Sequence, residues 1–302
     1  MKKILAILFA AVVTSVATAQ KPIIISAAHS GADEIVENLW NNSTAPHSNG
    51  ITADESINEK YELMNTSQTD LYIYKADPAK ATGQGVVVVP GGGHRKVCIE
   101  YDGFSVARYL RSIGITAIVV KYRLPNGHSE VPLEDAQQAM RYLRREGAAW
   151  GVDPTQVGIL GSSAGGHLAA HVSCVTPDEE KPAFSILIYP VISGTTSHTH
   201  HGTFNYLLGA QRTDEQQQYH SLENRVTATT PPTLLLLADD DLTVPTLSSI
   251  RYYKALKYHG VKAAMYLFPS GGHGWAGKDD YLYAEPAKEA IADWLEIERN
   301  LK

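Results

Sequence analysis

The residue best suited to covalent chemistry is Ser163. It stands at the centre of Gly161-Ser162-Ser163-Ala164-Gly165, a GxSxG run with a further glycine at Gly166. An apolar stretch at 157–160 precedes it and a helix-compatible stretch from His167 to Val175 follows, the strand–turn–helix context in which this motif presents a nucleophile. The reason is steric. A sharp strand-to-helix turn lifts the hydroxyl above the sheet, and glycines two positions to either side let the backbone close around it. The helix amino terminus beneath then favours developing negative charge. Ser162 is the fallback nucleophile, and without its context the pentapeptide would read as a packing turn.

A nucleophilic serine needs donors for the oxyanion it creates. Pro90-Gly91-Gly92-Gly93-His94 follows directly on the apolar stretch 86–89, and its three glycines leave backbone amides unobstructed. Acyl transfer requires such donors about 2.7–3.1 Å from the oxyanion, each worth roughly 2.7–4 kcal/mol at the transition state. Gly92 and Gly93 are the expected donors, joined by the amide of Ala164. The competing reading, a phosphate cradle, lacks both a GxxxxGK[ST] run and GxGxxG. His94 is expected to touch substrate or to cap this loop.

The base is expected in Gly271-Gly272-His273-Gly274-Trp275, where flanking glycines let a loop carry the His273 imidazole back over Ser163. Between serine and histidine, Ala238-Asp239-Asp240-Asp241 ends an apolar stretch and offers three carboxylates, which suits the order serine, acid, histidine. Asp241, four residues before Pro245, is expected to orient the imidazole because a position beyond the strand end reaches inward; Asp240 is the second choice. The three carboxylates lack the spaced oxygens and glycine of a calcium loop. His198, His200 and His201 have the composition of a zinc site but no second ligand cluster, so a solvated loop is the expectation. No metal or cofactor is expected.

These residues need a scaffold, and the rest of the chain supplies one. After a polar leading segment up to about Lys60, short apolar runs alternate with longer amphipathic ones, the pattern of a mostly parallel sheet flanked by helices. Strands are expected at 86–89, 115–120, 157–160, 184–189, 233–237 and 263–268, and helices at 104–113, 132–146, 164–175, 247–258 and 284–299. An antiparallel strand at 71–75 precedes them, with its partner expected in the thirty residues before it. The sheet should hold about eight strands in one domain, 20–302. Residues 193–230, rich in His, Gln and Thr, break the alternation after the sixth strand; they read equally as a cap-like insertion shaping a pocket or as a surface loop.

The chain has 302 residues, a formal net charge of −6, 44% hydrophobic and 19% charged residues, which excludes disorder and rod-like folds. The acidic balance argues against nucleic acid or an anionic membrane as partner. Residues 1–19 read as a secretory signal: Lys2 and Lys3, an apolar run at 4–13, then Ala17-Thr18-Ala19 before Gln20. Its removal takes two of the 26 basic residues, leaving 24 against 32 acidic and a mature chain near −8, exported and without a membrane span. Cys98 and Cys174 are expected to remain free, because Cys174 would lie roughly 16 Å down the helix that starts at Ser163, at about 1.5 Å per residue.

With these motifs together, the sequence resembles the α/β-hydrolase superfamily, in particular the acetyl xylan esterase-like carbohydrate esterases related to hormone-sensitive lipase. The resemblance covers about 83–295. It rests also on Gly114-Ile115-Thr116-Ala117, Lys121-Tyr122-Arg123-Leu124-Pro125, Pro132-Leu133-Glu134-Asp135-Ala136, Gly165-Gly166-His167-Leu168-Ala169, Ile188-Tyr189-Pro190-Val191-Ile192-Ser193 and Val244-Pro245. It implies a Ser163, Asp241, His273 triad in a serine esterase that removes acetyl groups from plant polysaccharides or their oligosaccharides. His94 stands where relatives often carry Tyr and Asp102 where they often carry Glu; His94, Asp102 and Trp275 are the candidate substrate contacts. A feruloyl or cinnamoyl esterase, a small peptidase, and a sugar-binding module that kept the fold without the chemistry are the alternatives.

Overall fold

The computed structural model describes residues 21–195 and 199–300. The expected signal, and His198 of the histidine-rich loop, lie outside the described residues.

The strand β3 (Gly85–Val89) is four valines after a glycine, and every residue in it is buried. A strand with no polar face must be covered on both sides, and it lies in the middle of a sheet with helices on each face. That sheet has eight strands: β1 (Glu34–Asn41), β2 (Gln68–Tyr74), β3, β4 (Thr116–Lys121), β5 (Val157–Ser162), β6 (Ser185–Ile188), β7 (Thr233–Ala238) and β8 (Ala263–Phe268), in spatial order β1-β2-β4-β3-β5-β6-β7-β8. β1 and β2 run antiparallel and β2 meets β4 antiparallel; every later pair is parallel. The carboxyl ends of β3, β5, β7 and β8 therefore open on one edge of the sheet, where ligands bind in open α/β sheets.

Besides a single turn at Ala27–Ser30, the α-helices among the described residues are α1 (Val106–Ser112), α2 (Glu130–Glu146), α3 (Ser163–Val175), α4 (His201–Leu208), α5 (Asp214–Tyr219), α6 (Leu247–Tyr258) and α7 (Ala284–Asn300). In α2 the buried positions Val131, Asp135, Ala136, Ala139, Met140 and Leu143 recur at helical spacing, so one stripe faces the sheet. α3 is buried almost throughout, as the central helix behind the sheet must be. α4 and α5 belong to the segment after β6, and Phe204, Leu207 and Leu208 of α4 pack with Val191 and Val244 as an apolar cluster of their own.

Three local features differ from the sequence expectation. The antiparallel partner of β2 is β1, which ends within the thirty residues before 71 but lies mostly upstream of them; its alternation is nearly hidden, since none of its residues is fully buried. The helix expected at 104–113 is a π-helical turn, Glu100–Ser105, followed by the shorter α1. A small sheet of Ser56–Ile57, Glu62–Met64 and Val97–Cys98 has strands too short to leave a periodic signal.

Two buried cations lie deep in this fold, each held by carboxylates. Lys121 Nζ sits 2.7 Å from Glu55 and 2.6 Å from Asp70, all three side chains fully buried. Arg123 is held by Asp135, whose Oδ1 accepts from Nη2 at 2.7 Å and from Nε at 3.0 Å. Both cysteines are free thiols, Cys98 half-buried and Cys174 buried. Among the described residues no helix is long and apolar enough to cross a membrane.

Candidate active site

Ser163 is the first residue of α3 and has φ +55°, a left-handed backbone that a residue with a Cβ adopts only under constraint. The constraint is the turn itself. A Cβ at Gly161 would stand 2.2 Å from the Gly165 carbonyl oxygen, and one at Gly165 would stand 2.2 Å from that of Val89. Strand, turn and helix thus approach closer than any side chain permits, which is why the two outer positions of GxSxG are glycine.

His273 lies in the loop after β8 and Asp241 in the turn after β7, and the sheet brings both to Ser163. His273 Nε2 lies 2.8 Å from Ser163 Oγ and Nδ1 lies 2.7 Å from Asp241 Oδ2. The carboxylate can only accept, so Nδ1 carries the proton and Nε2 is left to accept the hydroxyl proton of Ser163. Asp241 is itself fixed, with Oδ1 accepting from the amides of Thr243 at 2.9 Å and Val244 at 2.8 Å. Asp240 points elsewhere. Exposed to solvent, it accepts from the Gly272 amide at 2.7 Å and so holds the base of the histidine loop.

Facing the serine, the loop after β3 turns through Gly92 (φ +130°), where a Cβ would meet the Lys96 carbonyl oxygen at 2.1 Å. Its carbonyl accepts from the amides of Arg95 and Lys96, while among the described residues the amides of Gly92 and Gly93 have no acceptor. Ala164 is the second residue of α3, and the first amides of a helix have no partner within it. Free amides and a helix amino terminus are what a developing oxyanion needs.

The expected substrate contacts fall differently. His94 is 1% exposed and stands edge-on to Tyr122 and His167, behind the loop and away from the cavity. Trp275 is also buried, stacked on Tyr281. Asp102 borders the cavity, yet its carboxylate is turned inward. Oδ2 accepts from the Gly91 amide at 3.0 Å and Oδ1 from the Tyr189 hydroxyl at 3.3 Å. Burial raises its pKa, against the hydrogen bonds that favour the charged form. The Tyr189 oxygen also accepts from the Ala276 amide at 2.8 Å, so Asp102 and Tyr189 join the glycine loop to the histidine loop across 4.5 Å of contact between the Tyr189 and His273 rings. Sequence reasoning assigned no role to Tyr189; its φ of +36° is visible only in the fold.

The cavity above Ser163 and His273 has a volume of about 590 Å³ and reaches from Gly92 and Gly93 to the segment after β6, which contributes His200, Gly202 and Tyr206. His200 caps α4: its Nδ1 accepts from the Thr203 amide at 3.2 Å, so in the neutral ring the proton sits on Nε2. Burial and the neighbouring His273 lower its pKa, which keeps it neutral near pH 7. Among the described residues no group of histidines, cysteines and carboxylates is arranged to hold a metal ion.

Beneath the site lies a set of buried rings that the motif reading passed over, although His167 and His171 show it as a pair four residues apart. His94, His167, His171 and His220 are all at most 4% exposed, and His167 donates from Nε2 to the His220 carbonyl oxygen at 3.1 Å. Burial lowers the pKa of His167 to about 4 and of His220 to about 3, and those of His94 and His171 well below the ordinary value. The unfolded chain titrates these groups near 6.5, so below that pH it takes up protons that the folded protein refuses. As far as these histidines decide it, stability against urea is therefore expected to be level above pH 6.5 and to fall progressively beneath it, towards the lowered folded pKa values. An unchanged urea midpoint between pH 7 and pH 5 would contradict this.

A sequence profile described as alpha/beta hydrolase fold matches residues 87–277. The acetylxylan esterase of Xylanibacter ruminicola is 35% identical over 223 residues, 72% of this chain and 46% of that protein. Endo-1,4-beta-xylanase B of Butyrivibrio fibrisolvens is 33% identical over 214 residues, 66% of this chain and 33% of that one. The chain thus spans less than half the length of these two relatives. Among solved structures, the acetyl ester-xyloside bifunctional hydrolase of Caldicellulosiruptor lactoaceticus superposes with a TM-score of 0.74 at 31% identity, covering 88% of this chain and 96% of that one.

Proposed function

Because the chain belongs to the alpha/beta hydrolase fold family, we propose that it is an exported serine esterase that removes acetyl groups from carbohydrates. The observation that carries this reading is the hydrogen-bonded line Ser163–His273–Asp241 at the floor of the open cavity. Relatives named for acetylxylan ester chemistry support the acetyl and carbohydrate part of it, and the leader-like residues 1–19 support export.

The chemistry follows from the atoms in place. Ser163 Oγ attacks the ester carbonyl carbon as His273 Nε2 takes its proton, and Asp241 holds the ring in the productive tautomer and stabilises the imidazolium. The oxygen that gains charge is met by the amides of Gly92, Gly93 and Ala164. Collapse breaks the bond to the sugar oxygen, which leaves with the proton from His273. A water, deprotonated by the same ring, then releases acetate and restores Ser163. Every proton moved is carried by His273.

The test is a fluorophosphonate reagent followed by peptide mapping, with acetate release from acetylated xylo-oligosaccharides measured alongside. Modification of Ser163 together with acetate release is the expected result. An unmodified protein that releases no acetate would instead leave a sugar-binding domain without chemistry.

A further inference from the structure

We propose that the acetylated carbohydrate taken by this site is an acidic one, bearing a carboxylate such as that of a uronic acid residue; the proposal rests on the esterase reading and narrows its substrate. The chain as a whole is acidic, with net charge −6, yet the cavity above Ser163 gathers four cations: Lys60, Arg95, Lys96 and Lys278. Two carboxylates share that cavity, fewer than the cations, and both are engaged. Glu62 is taken by Lys96, 2.6 Å away. Asp102 is turned back onto the Gly91 amide and the Tyr189 hydroxyl.

Lys60, Arg95 and Lys278 form no ion pair among the described residues, although Lys60 also acts on Glu62 through space. Lys60 and Arg95 are exposed. Lys278 stands over the Tyr101 ring at 5.4 Å, a contact that positions the ammonium without neutralising it. Like charges gathered in one concave site repel each other and persist against the acidic remainder of the surface. They focus a positive field where substrate enters, and an anionic ligand relieves the repulsion.

The same cavity has the apolar surface a sugar needs. Tyr101 and Tyr206, 47% and 43% exposed, both line it, and the amphipathic ring of tyrosine suits the apolar face of a pyranose. His200 adds a neutral N–H donor from the same wall. Aromatic surface, a neutral donor and uncompensated cations together describe a carbohydrate with a carboxylate, not a neutral one.

The experiment compares kcat/KM for acetate release from acetylated xylo-oligosaccharides with and without a glucuronic acid branch and from an acetylated galacturonide, at low and high salt. The branched or galacturonide substrate is expected to be preferred by about five- to tenfold at about 20 mM salt, and most of that preference is expected to vanish at about 500 mM, where exposed charges are screened. Which acidic substrate wins identifies the source of the carboxylate. Combining Lys60→Gln, Arg95→Gln and Lys278→Gln is expected to bring the acidic-to-neutral ratio to about one, since each exposed pairing contributes modestly. A ratio near one in the unaltered enzyme while the neutral oligosaccharide is turned over, or a ratio the triple variant leaves unchanged, would overturn the proposal and leave the esterase standing. No acetate from any substrate and no modification of Ser163 would overturn both.

Discussion

Ser163→Ala is expected to lower kcat for acetyl ester hydrolysis by about six orders of magnitude, the loss seen when a triad that acts as a unit is deprived of its nucleophile. The hydroxyl bonds His273, so the fold has little reason to respond, and a urea midpoint close to that of the unaltered protein should accompany the loss. Asp241→Asn tests the same unit from its other end. The amide can donate a hydrogen bond to Nδ1, which would favour the tautomer with its proton on Nε2, unable to accept from serine; a fall of about 10⁴ is expected. Initial rates on an aryl acetate with active-site titration decide the matter. A Ser163→Ala protein that retains a tenth of the activity would remove this serine from the reaction.

The second large effect concerns the fold. Asp135→Ala is expected to destabilise the protein by about 3–5 kcal/mol, because it strands a fully buried guanidinium. Asp135 Oδ1 also accepts from Trp40 Nε1 at 2.5 Å, and Oδ2 accepts from the Arg123 amide at 2.7 Å. The substitution therefore unties β1, α2 and the segment after β4 together. Glu134, 3.7 Å from Arg123, is the nearest substitute charge. Urea denaturation with matched slopes would measure the change, and a loss below about 1 kcal/mol would show that Glu134 takes over, as happens when an exposed pair is broken.

How much of this was legible in the sequence follows from the range of each interaction. β3, β4, β5, β6 and β7 were readable because buried parallel strands are short unbroken apolar runs, and β8, though at the border, keeps such a run. The serine elbow was readable because its glycines answer to contacts within a few residues. β1 was not, since its residues are at best half-buried, and the π-helical turn at Glu100–Ser105 leaves no periodicity distinct from the helix it leads into. Ser163, Asp241 and His273 each stand beside a strand end that local context marks, and they lie within hydrogen-bond distance of one another. Asp102 and His94 could not be placed in this way. Whether a side chain faces the cavity or the interior depends on packing against Tyr189 in one case and Tyr122 and His167 in the other, partners far away in sequence. The pairing of Lys121 with Glu55 and Asp70 was equally hidden, being a meeting of three distant segments.

β8 closes the sheet at one border, and Tyr266 and Leu267 within it remain open to solvent. The histidine loop hangs from this last strand, whereas the serine is anchored at the centre on β5. Fraying at a border costs less than melting the middle, so the two halves of the site do not share one lifetime. On warming, the imidazole is expected to lose its register before the hydroxyl moves, so that hydrolysis of an aryl acetate would cease while most amide protons are still protected from exchange.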